Sequence, residues 1–275
     1  MTESNLIALA LAEDIAAGDV TTEAIVSTDE TASATIRAGE SLVVCGTGTA
    51  AEVFRRVDSE LSTNILSADG ARVEQGAEVL TVNGRAGSIL TAERIALNFL
   101  QILSGIATYA NLFAKRARGT GVRICDTRKT IPGYRALAKY AVRCGGCHNH
   151  RATLADHVLI KDNHIAIAGS VAEAVRRAKK FAPHSAKIEV EADTLNQVSD
   201  ALGEGVDIIL LDNMTPETVR AAKEITGGSA MLEVSGSVTL ENVDAYIATG
   251  VDVISIGALT HSAPSVDLGL GFSTH

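Results

Sequence analysis

The chain has 275 residues, 46% hydrophobic and 21% charged. At roughly 150 residues per domain this is one large or two modest domains with ample core, which excludes a disordered or fibrous protein. The formal net charge of −9, with no Trp and 3% aromatic residues, argues against a nucleic-acid binder, which needs basic surface and stacking platforms.

Leu6 to Ala12 is apolar, with no base before it and Glu13 and Asp14 after it, the pattern of an amphipathic helix rather than a secretory leader. Residues 31–38, TASATIRA, alternate as a half-buried strand does. Residues 41–45 and 77–84 are further strand candidates, and 47–57 has helical periodicity. A long helical pattern runs from Ser88 to Arg118. Gly105 is expected to kink or divide it, since an interior Gly costs about 1 kcal/mol against Ala, and the domain boundary is set there. No apolar run approaches the ~18 to 20 residues of a membrane span. The four cysteines, Cys45, Cys125, Cys144 and Cys147, are too few for a disulfide framework, so a soluble protein of a reducing, cytoplasmic compartment is expected.

Beyond Gly105 short apolar runs recur at 122–126, 157–161, 187–191, 207–212, 231–235 and 252–257. Most are followed by helical segments, such as 170–181 and a helix with Thr215 as N-cap, Pro216 at N1 and Gly227 past its end. Continuous apolar strands alternating with helices indicate βα units around a buried parallel sheet. Six such units without a Gly-rich dinucleotide loop favour an α/β barrel.

In such a barrel the active site lies at the C-terminal ends of the strands. The residues there are Asp126 and Arg128, Lys161, Glu191, Asp212, Ser235-Gly236, and Ser255 with Gly257. Loops are polar anyway, but this set mixes cations, acids and Ser-Gly turns. The segment 115–161 carries eleven Lys and Arg against Asp126 and Asp156, a net of +9 that leaves −18 for the other 228 residues. Lys115, Arg116 and Arg118 read as a solvated face. Arg128, Lys129, Arg151 and Lys161 lie close to strand ends, where converging cations repel unless an anion joins them. A small polyanionic substrate is the economical inference. Glu191 and Asp212 follow neighbouring strands and suit Mg²⁺, which takes one or two carboxylates plus water and phosphate oxygens; salt bridging to the nearby cations is the plainer alternative. Free N–H groups in the two Ser-Gly loops could cradle a phosphate.

Cys144-Gly-Gly-Cys147-His148 has the spacing of covalent haem attachment, but no export signal accompanies it. Zinc through Cys144, Cys147, His148 and His150 lacks a second ligand pair. A glycine-containing turn with incidental thiols is the simpler reading.

The segments D-T-R-K-T-I-P-G (126–133), K-Y-A-V-R-C-G-G (139–146), N-H-R (149–151) and L-I-K-D-N-H (159–164) resemble the quinolinate phosphoribosyltransferases. E-D-I-A-A-G-D-V-T-T (13–22), 93–108 and 250–262 extend the resemblance over nearly the whole chain. The resemblance implies an open α/β barrel with an N-terminal α/β sandwich domain. The domains would be 1–105, rejoined by a C-terminal tail at 264–275, and 106–263. It implies transfer of phosphoribosyl from phosphoribosyl pyrophosphate to quinolinate with loss of CO₂, giving nicotinate mononucleotide for NAD biosynthesis, with Mg²⁺ as cofactor. By resemblance Arg128, Lys129, His150, Arg151 and Lys161 surround the quinolinate carboxylates. Arg94 reaches in from a partner subunit of a homodimer or multiple of dimers with shared active sites. Lys129, Glu191 and Asp212 are catalytic, the two acids serving ribose and Mg²⁺-pyrophosphate. Ser235, Gly236, Gly257 and His261 hold the 5′-phosphate. Two departures stand out: Cys147-His148 replaces a glycine run before N-H-R, and Ser237 replaces a phosphate-loop glycine. A molybdenum-transport group shares the R-K-T-x-P-G pattern, but I-K-D-N-H fits the quinolinate enzymes better. Another phosphoribosyltransferase and a silent binder of phosphorylated ligands are the rival readings.

Overall fold

The computed structural model describes residues 2–273. The chain forms two compact units. One runs to Asn111, takes in Thr130–Gly146 and resumes at Leu259; the other comprises Leu112–Lys129 and Cys147–Ala258.

The first unit opens with α1 (Glu3–Ile15), where the Thr2 side chain accepts from Asn5 N, and α2 (Val20–Ile25), where Asp19 accepts from Thr22 N. Each cap satisfies an otherwise orphaned N–H. Then come β1 (Thr31–Ala38), β2 (Leu42–Val43), α3 (Thr47–Val57), β3 (Ser62–Ile65), β4 (Arg72–Val73), β5 (Glu78–Arg85) and α4 (Ala86–Ala117). The expected strand at 41–45 shrinks to the two residues of β2, which pair with β4.

α4 corrects two expectations. It is one unbroken helix through Gly105. A Cβ at 105 would collide with Pro264 O, so the glycine serves a close backbone approach rather than a break. α4 is also long and apolar enough to cross a membrane by length and composition, with a mean hydropathy of 1.3 in its best window. Glu93 and Arg94 interrupt the run without offsetting its average. With 61% of that window buried, α4 has the burial of a core helix.

The second unit begins with β6 (Arg123–Cys125). The chain then contributes α5 (Arg135–Cys144) to the first unit and returns. β7 (Val158–Ile160), α6 (Asp162–Ala168), α7 (Val171–Phe181), β8 (Ile188–Ala192), α8 (Leu195–Gly203), β9 (Ile208–Asp212), α9 (Pro216–Thr226), β10 (Met231–Ser235), α10 (Val243–Ile247) and β11 (Val253–Ser255) follow. α9 has the expected Thr215 cap, Pro216 start and left-handed Gly227. Six strands pair in parallel in the order β6-β11-β10-β9-β8-β7, and with β6 and β7 at the two ends the barrel is open. Its strands bury Val190, Ile209, Leu211, Val234 and Ile254 completely, each worth roughly 1.5–3 kcal/mol of apolar burial.

α11 (Ala258–His261) and β12 (Leu268–Phe272) end the described chain. β12 pairs antiparallel with β1, Ala34 opposite Phe272 and Ala38 opposite Leu268. The first unit's main sheet thus has the order β12-β1-β5-β3. Of the tail expected to rejoin this part of the chain, residues 274 and 275 lie outside the described residues.

Candidate active site

Each parallel strand delivers a polar residue at its C-terminal end, and these residues line a cavity of about 390 Å³ within the second unit. Arg128 and Lys129 come after β6, Lys161 after β7, Glu191 from β8, Asp212 from β9, Ser235 from β10 and Ser255 from β11. His150 and Arg151 complete the cationic wall, with Thr127 and Glu233 beside them. The volume suits a small ligand.

Asp126, fully buried, organises the loop that supplies His150 and Arg151. Its carboxylate accepts from His150 N at 2.9 Å and Asn149 Nδ2 at 2.5 Å. His148 bridges β6 in parallel at Cys125, which fixes the start of this loop to the sheet. Arg151 N donates to His150 Nδ1 at 2.8 Å, and an Arg151 guanidinium N–H to His157 O at 3.1 Å.

Behind this loop two acids face the imidazoles. His150 Nε2 lies 3.5 Å from Glu189 Oε2 and 3.3 Å from Glu233 Oε1, and His157 Nε2 lies 2.8 Å from Glu189 Oε2. Burial by itself would push His150 down, but the facing carboxylates of Glu189 and Glu233 outweigh it and push the imidazole up. Burial likewise opposes ionisation of Glu189, yet hydrogen bonds from His150 and His157 hold it at about 2. Because His150 Nδ1 accepts from Arg151 N, the ring carries its proton on Nε2, toward the two acids. Arg151 is pushed down, first by burial and then by the charge of Arg128. The cavity wall thus offers four cations, Arg128, Lys129, Arg151 and Lys161, and the His150 imidazole against Glu191, Asp212 and Glu233, an arrangement that suits an anionic ligand.

Opposite the cations, Glu191 pairs with Lys161, and Asp212 accepts from Asn213 Nδ2 at 2.7 Å. Burial, and next the charge of Glu191, raise the Asp212 carboxyl. Two carboxylates on adjacent strands are an oxygen donor set that a hard cation fits.

The loop after β10 is shaped by backbone constraint. Gly236 has φ +92°, and a Cβ there would collide with Asn213 Oδ1. Ser237 has φ +51°, a left-handed conformation that costs a non-glycine residue roughly 1–2 kcal/mol. Ser237→Gly removes that strain but adds unfolded-state freedom, so we expect a net gain of about 0.5–1 kcal/mol in denaturant unfolding; a loss of stability would contradict the strain.

The domain comparisons cover almost the entire chain. Residues 19–104 match the model for the quinolinate phosphoribosyl transferase N-terminal domain, and residues 106–271 match that for its C-terminal domain. The chain belongs to the quinolinate phosphoribosyl transferase family. It is 43% identical over 267 residues to the nicotinate-nucleotide pyrophosphorylase [carboxylating] of Mycobacterium leprae, covering 95% of this chain and 94% of the relative. It is 40% identical over 258 residues to the probable nicotinate-nucleotide pyrophosphorylase [carboxylating] of Bacillus subtilis, covering 94% and 89% respectively. The crystal structure of nicotinate-nucleotide pyrophosphorylase from Ehrlichia chaffeensis superposes with a TM-score of 0.95 at 40% identity, covering 99% of each chain.

Of the residues that likeness to the quinolinate phosphoribosyl transferase family had singled out, the cavity brings together Arg128, Lys129, His150, Arg151, Lys161, Glu191, Asp212 and Ser235. Gly236 and Gly257 adjoin lining segments without lining the cavity themselves. Arg94, exposed on α4, and His261, exposed on α11, belong to the first unit. The cationic stretch 115–161 is not one feature, because Arg135, Lys139 and Arg143 ride on α5 in the first unit. The solvated-face reading holds for Lys115, Arg116 and Arg118, all exposed, with Arg116 paired to Asp244. Sequence reasoning missed Glu189, Glu233 and His157. Glu189 and Glu233 sit two residues before Glu191 and Ser235, and hence on the same strand face. An acid at that offset inside an apolar run was the available signal.

Proposed function

We infer that this chain transfers phosphoribosyl from phosphoribosyl pyrophosphate to quinolinate with decarboxylation, yielding nicotinate mononucleotide, pyrophosphate and CO₂ in NAD biosynthesis. The observation that carries the reading is the cationic wall of Arg128, Lys129, His150, Arg151 and Lys161 facing Glu191 and Asp212 in one cavity, in a chain of this family.

The cations hold the two carboxylates of the pyridine, Arg128 and Arg151 through their planar forks, with His150 beside them. The ring nitrogen is thereby oriented toward C1 of the ribose. Its lone pair forms the new N–C1 bond while the C1–O bond to pyrophosphate breaks, the electrons leaving with oxygen. No side-chain nucleophile is required; the protein positions two polyanions and stabilises the positive charge that develops at C1. The quaternised ring then accepts the electrons of the 2-carboxylate bond, CO₂ departs, and a proton takes its place at C2. Lys129, on the cavity wall, is assigned to neutralising charge at the departing oxygen. The backbone turns at Gly236 and Gly257, with Ser235 and His261, are assigned to the 5′-phosphate.

Glu191 and Asp212 would hold Mg²⁺ together with water and pyrophosphate oxygens, and the ion would supply charge neutralisation for the leaving group. Arg94 is assigned to a partner subunit's site in a homodimer; its exposure on α4 supports that role. We place the enzyme in the cytoplasm, in keeping with its four free thiols.

Incubation with quinolinate, phosphoribosyl pyrophosphate and Mg²⁺ should release CO₂ and nicotinate mononucleotide. Product from nicotinate but not from quinolinate would sink the reading in favour of another phosphoribosyltransferase, and tight binding without turnover would favour a silent binder. Chelation with EDTA should abolish turnover and added Mg²⁺ restore it. Undiminished turnover in EDTA would dismiss the metal role of Glu191 and Asp212.

A further inference from the structure

The cysteine that the C-x-x-C-H spacing seemed to dedicate to a local motif keeps other company. Cys147 is buried in the second unit, while Cys144, at the end of α5, belongs to the first. There it meets Cys45, just past β2, and Asp69, in the loop before β4. The two sulfurs and a carboxylate oxygen all lie within 4.8 Å of one another.

Other residues hold these three groups in place. Asp69 Oδ1 accepts from Thr47 N at 3.0 Å and Thr47 Oγ1 at 2.8 Å, and Asp69 Oδ2 accepts from the Tyr140 hydroxyl at 2.9 Å. Cys45 is fully buried, its N–H bonded to Ser104 Oγ at 2.9 Å. Gly70 N donates to Val44 O at 2.8 Å, and Val44 N to Ala71 O at 2.9 Å, so the Asp69 loop is laced to the Cys45 strand. Ligands oriented by outer hydrogen bonds are typical of built metal sites.

We propose that Cys45, Cys144 and Asp69 form a binding site for a thiophilic divalent cation of the Zn²⁺ class, separate from the substrate cavity. Bonds of about 2.3 Å to sulfur and 2.0–2.2 Å to oxygen at tetrahedral angles put ligand atoms roughly 3.5–3.8 Å apart. The observed cluster needs to contract by at most about 1.3 Å to reach that geometry. Two thiolates and a carboxylate select zinc or cobalt over magnesium, which prefers oxygen donors alone. Asp69 and Tyr140 also line a cavity of about 470 Å³ in the same unit, so the carboxylate side of the cluster adjoins space from which water can supply a fourth ligand. Binding releases the thiol protons and joins chain segments a hundred residues apart in sequence, so the bound ion is structural rather than catalytic.

The test uses the full chain, reduced and stripped of metal, and reads no enzyme activity, so it stands or falls independently of the proposed reaction. Zn²⁺ is titrated against a chromogenic chelator, and Co²⁺ is added as a spectroscopic probe. We expect one equivalent of Zn²⁺ to bind, a thiolate-to-cobalt charge-transfer band in the near ultraviolet, and a rise in melting temperature with Zn²⁺. Cys45→Ser should abolish the band. Asp69→Asn should keep both thiols yet weaken Zn²⁺ binding about 10-fold or more, and it decides the matter if the buried serine variant does not fold. Cys147→Ala should keep the band. Absence of the band in folded, reduced protein, its survival in Asp69→Asn at unchanged affinity, or its loss in Cys147→Ala with Cys45 and Cys144 intact would overturn the site. So would a Cys45–Cys144 disulfide that forms in air and, once reduced, leaves thiols that take up no metal.

Discussion

Arg151→Ala lowers kcat/KM for quinolinate by about 10- to 100-fold or more, since each charge-assisted contact to a carboxylate is worth roughly 1.5–3 kcal/mol. Arg128→Ala does the same for the same reason. In the free protein Arg151 is pushed down by burial and by Arg128. Deleting either guanidinium therefore relieves repulsion before ligand arrives and removes attraction afterwards; the first effect stabilises the fold and the second weakens binding. The variants should melt no lower than the parent while losing activity. Arg151→Lys should recover only part of the loss, because an ammonium cannot engage a carboxylate with two parallel N–H groups. Near-normal quinolinate turnover in both alanine variants would remove these residues from the site.

Glu189→Gln produces the second large effect, although Glu189 is placed behind His150 rather than in the cavity lining. The substitution removes the charge that both imidazoles face. Breaking a buried pair of this kind costs about 3 kcal/mol. His150, held up against burial by the facing carboxylates of Glu189 and Glu233, then titrates at lower pH. The alkaline fall in kcat/KM should therefore begin at lower pH in the variant than in the parent. A merely structural role for Glu189 would lower stability without moving that limb. The stability difference has its own pH window. Glu189, at about 2 when folded against an ordinary 4.5, contributes fully above pH 4.5 and loses its contribution as pH falls through 2. His150, raised from 6.5 to about 10, contributes fully below 6.5 and loses its contribution as pH rises through 10. The gap between parent and variant in denaturant unfolding is thus widest between those limits, and a gap that grew above pH 10 would contradict the pairing.

The barrel half of the architecture was legible because its strands are buried on both faces and read as plain apolar runs. The first polar residue past each run then named a cavity wall: Lys161, Asp212 and Ser235 needed no more than that rule. Glu189 and Glu233 escaped it because each is a single acid inside such a run, one pleat before the strand end, and only the imidazoles opposite make its burial tolerable. α5 could not be assigned to its unit from composition, since its membership is decided by tertiary contacts. The same holds for Cys45 and Cys144, whose encounter spans 99 intervening steps of chain. Gly105 misled for a different reason: helix propensity counts the cost of a missing side chain, while the benefit here is room for the Pro264 carbonyl.

The pairing of β12 with β1 bears on how the molecule is made. A ribosome delivers β1 early and β12 only after the whole second unit has been synthesised. Until then β1 presents an open edge that invites pairing with a strand from another nascent chain. In the second unit β6 waits likewise for β11, but β7 to β11 each pair with the next strand in sequence. Biogenesis should therefore run against the order of the code, with the later-encoded barrel consolidating first and the earlier-encoded sheet waiting for its last strand.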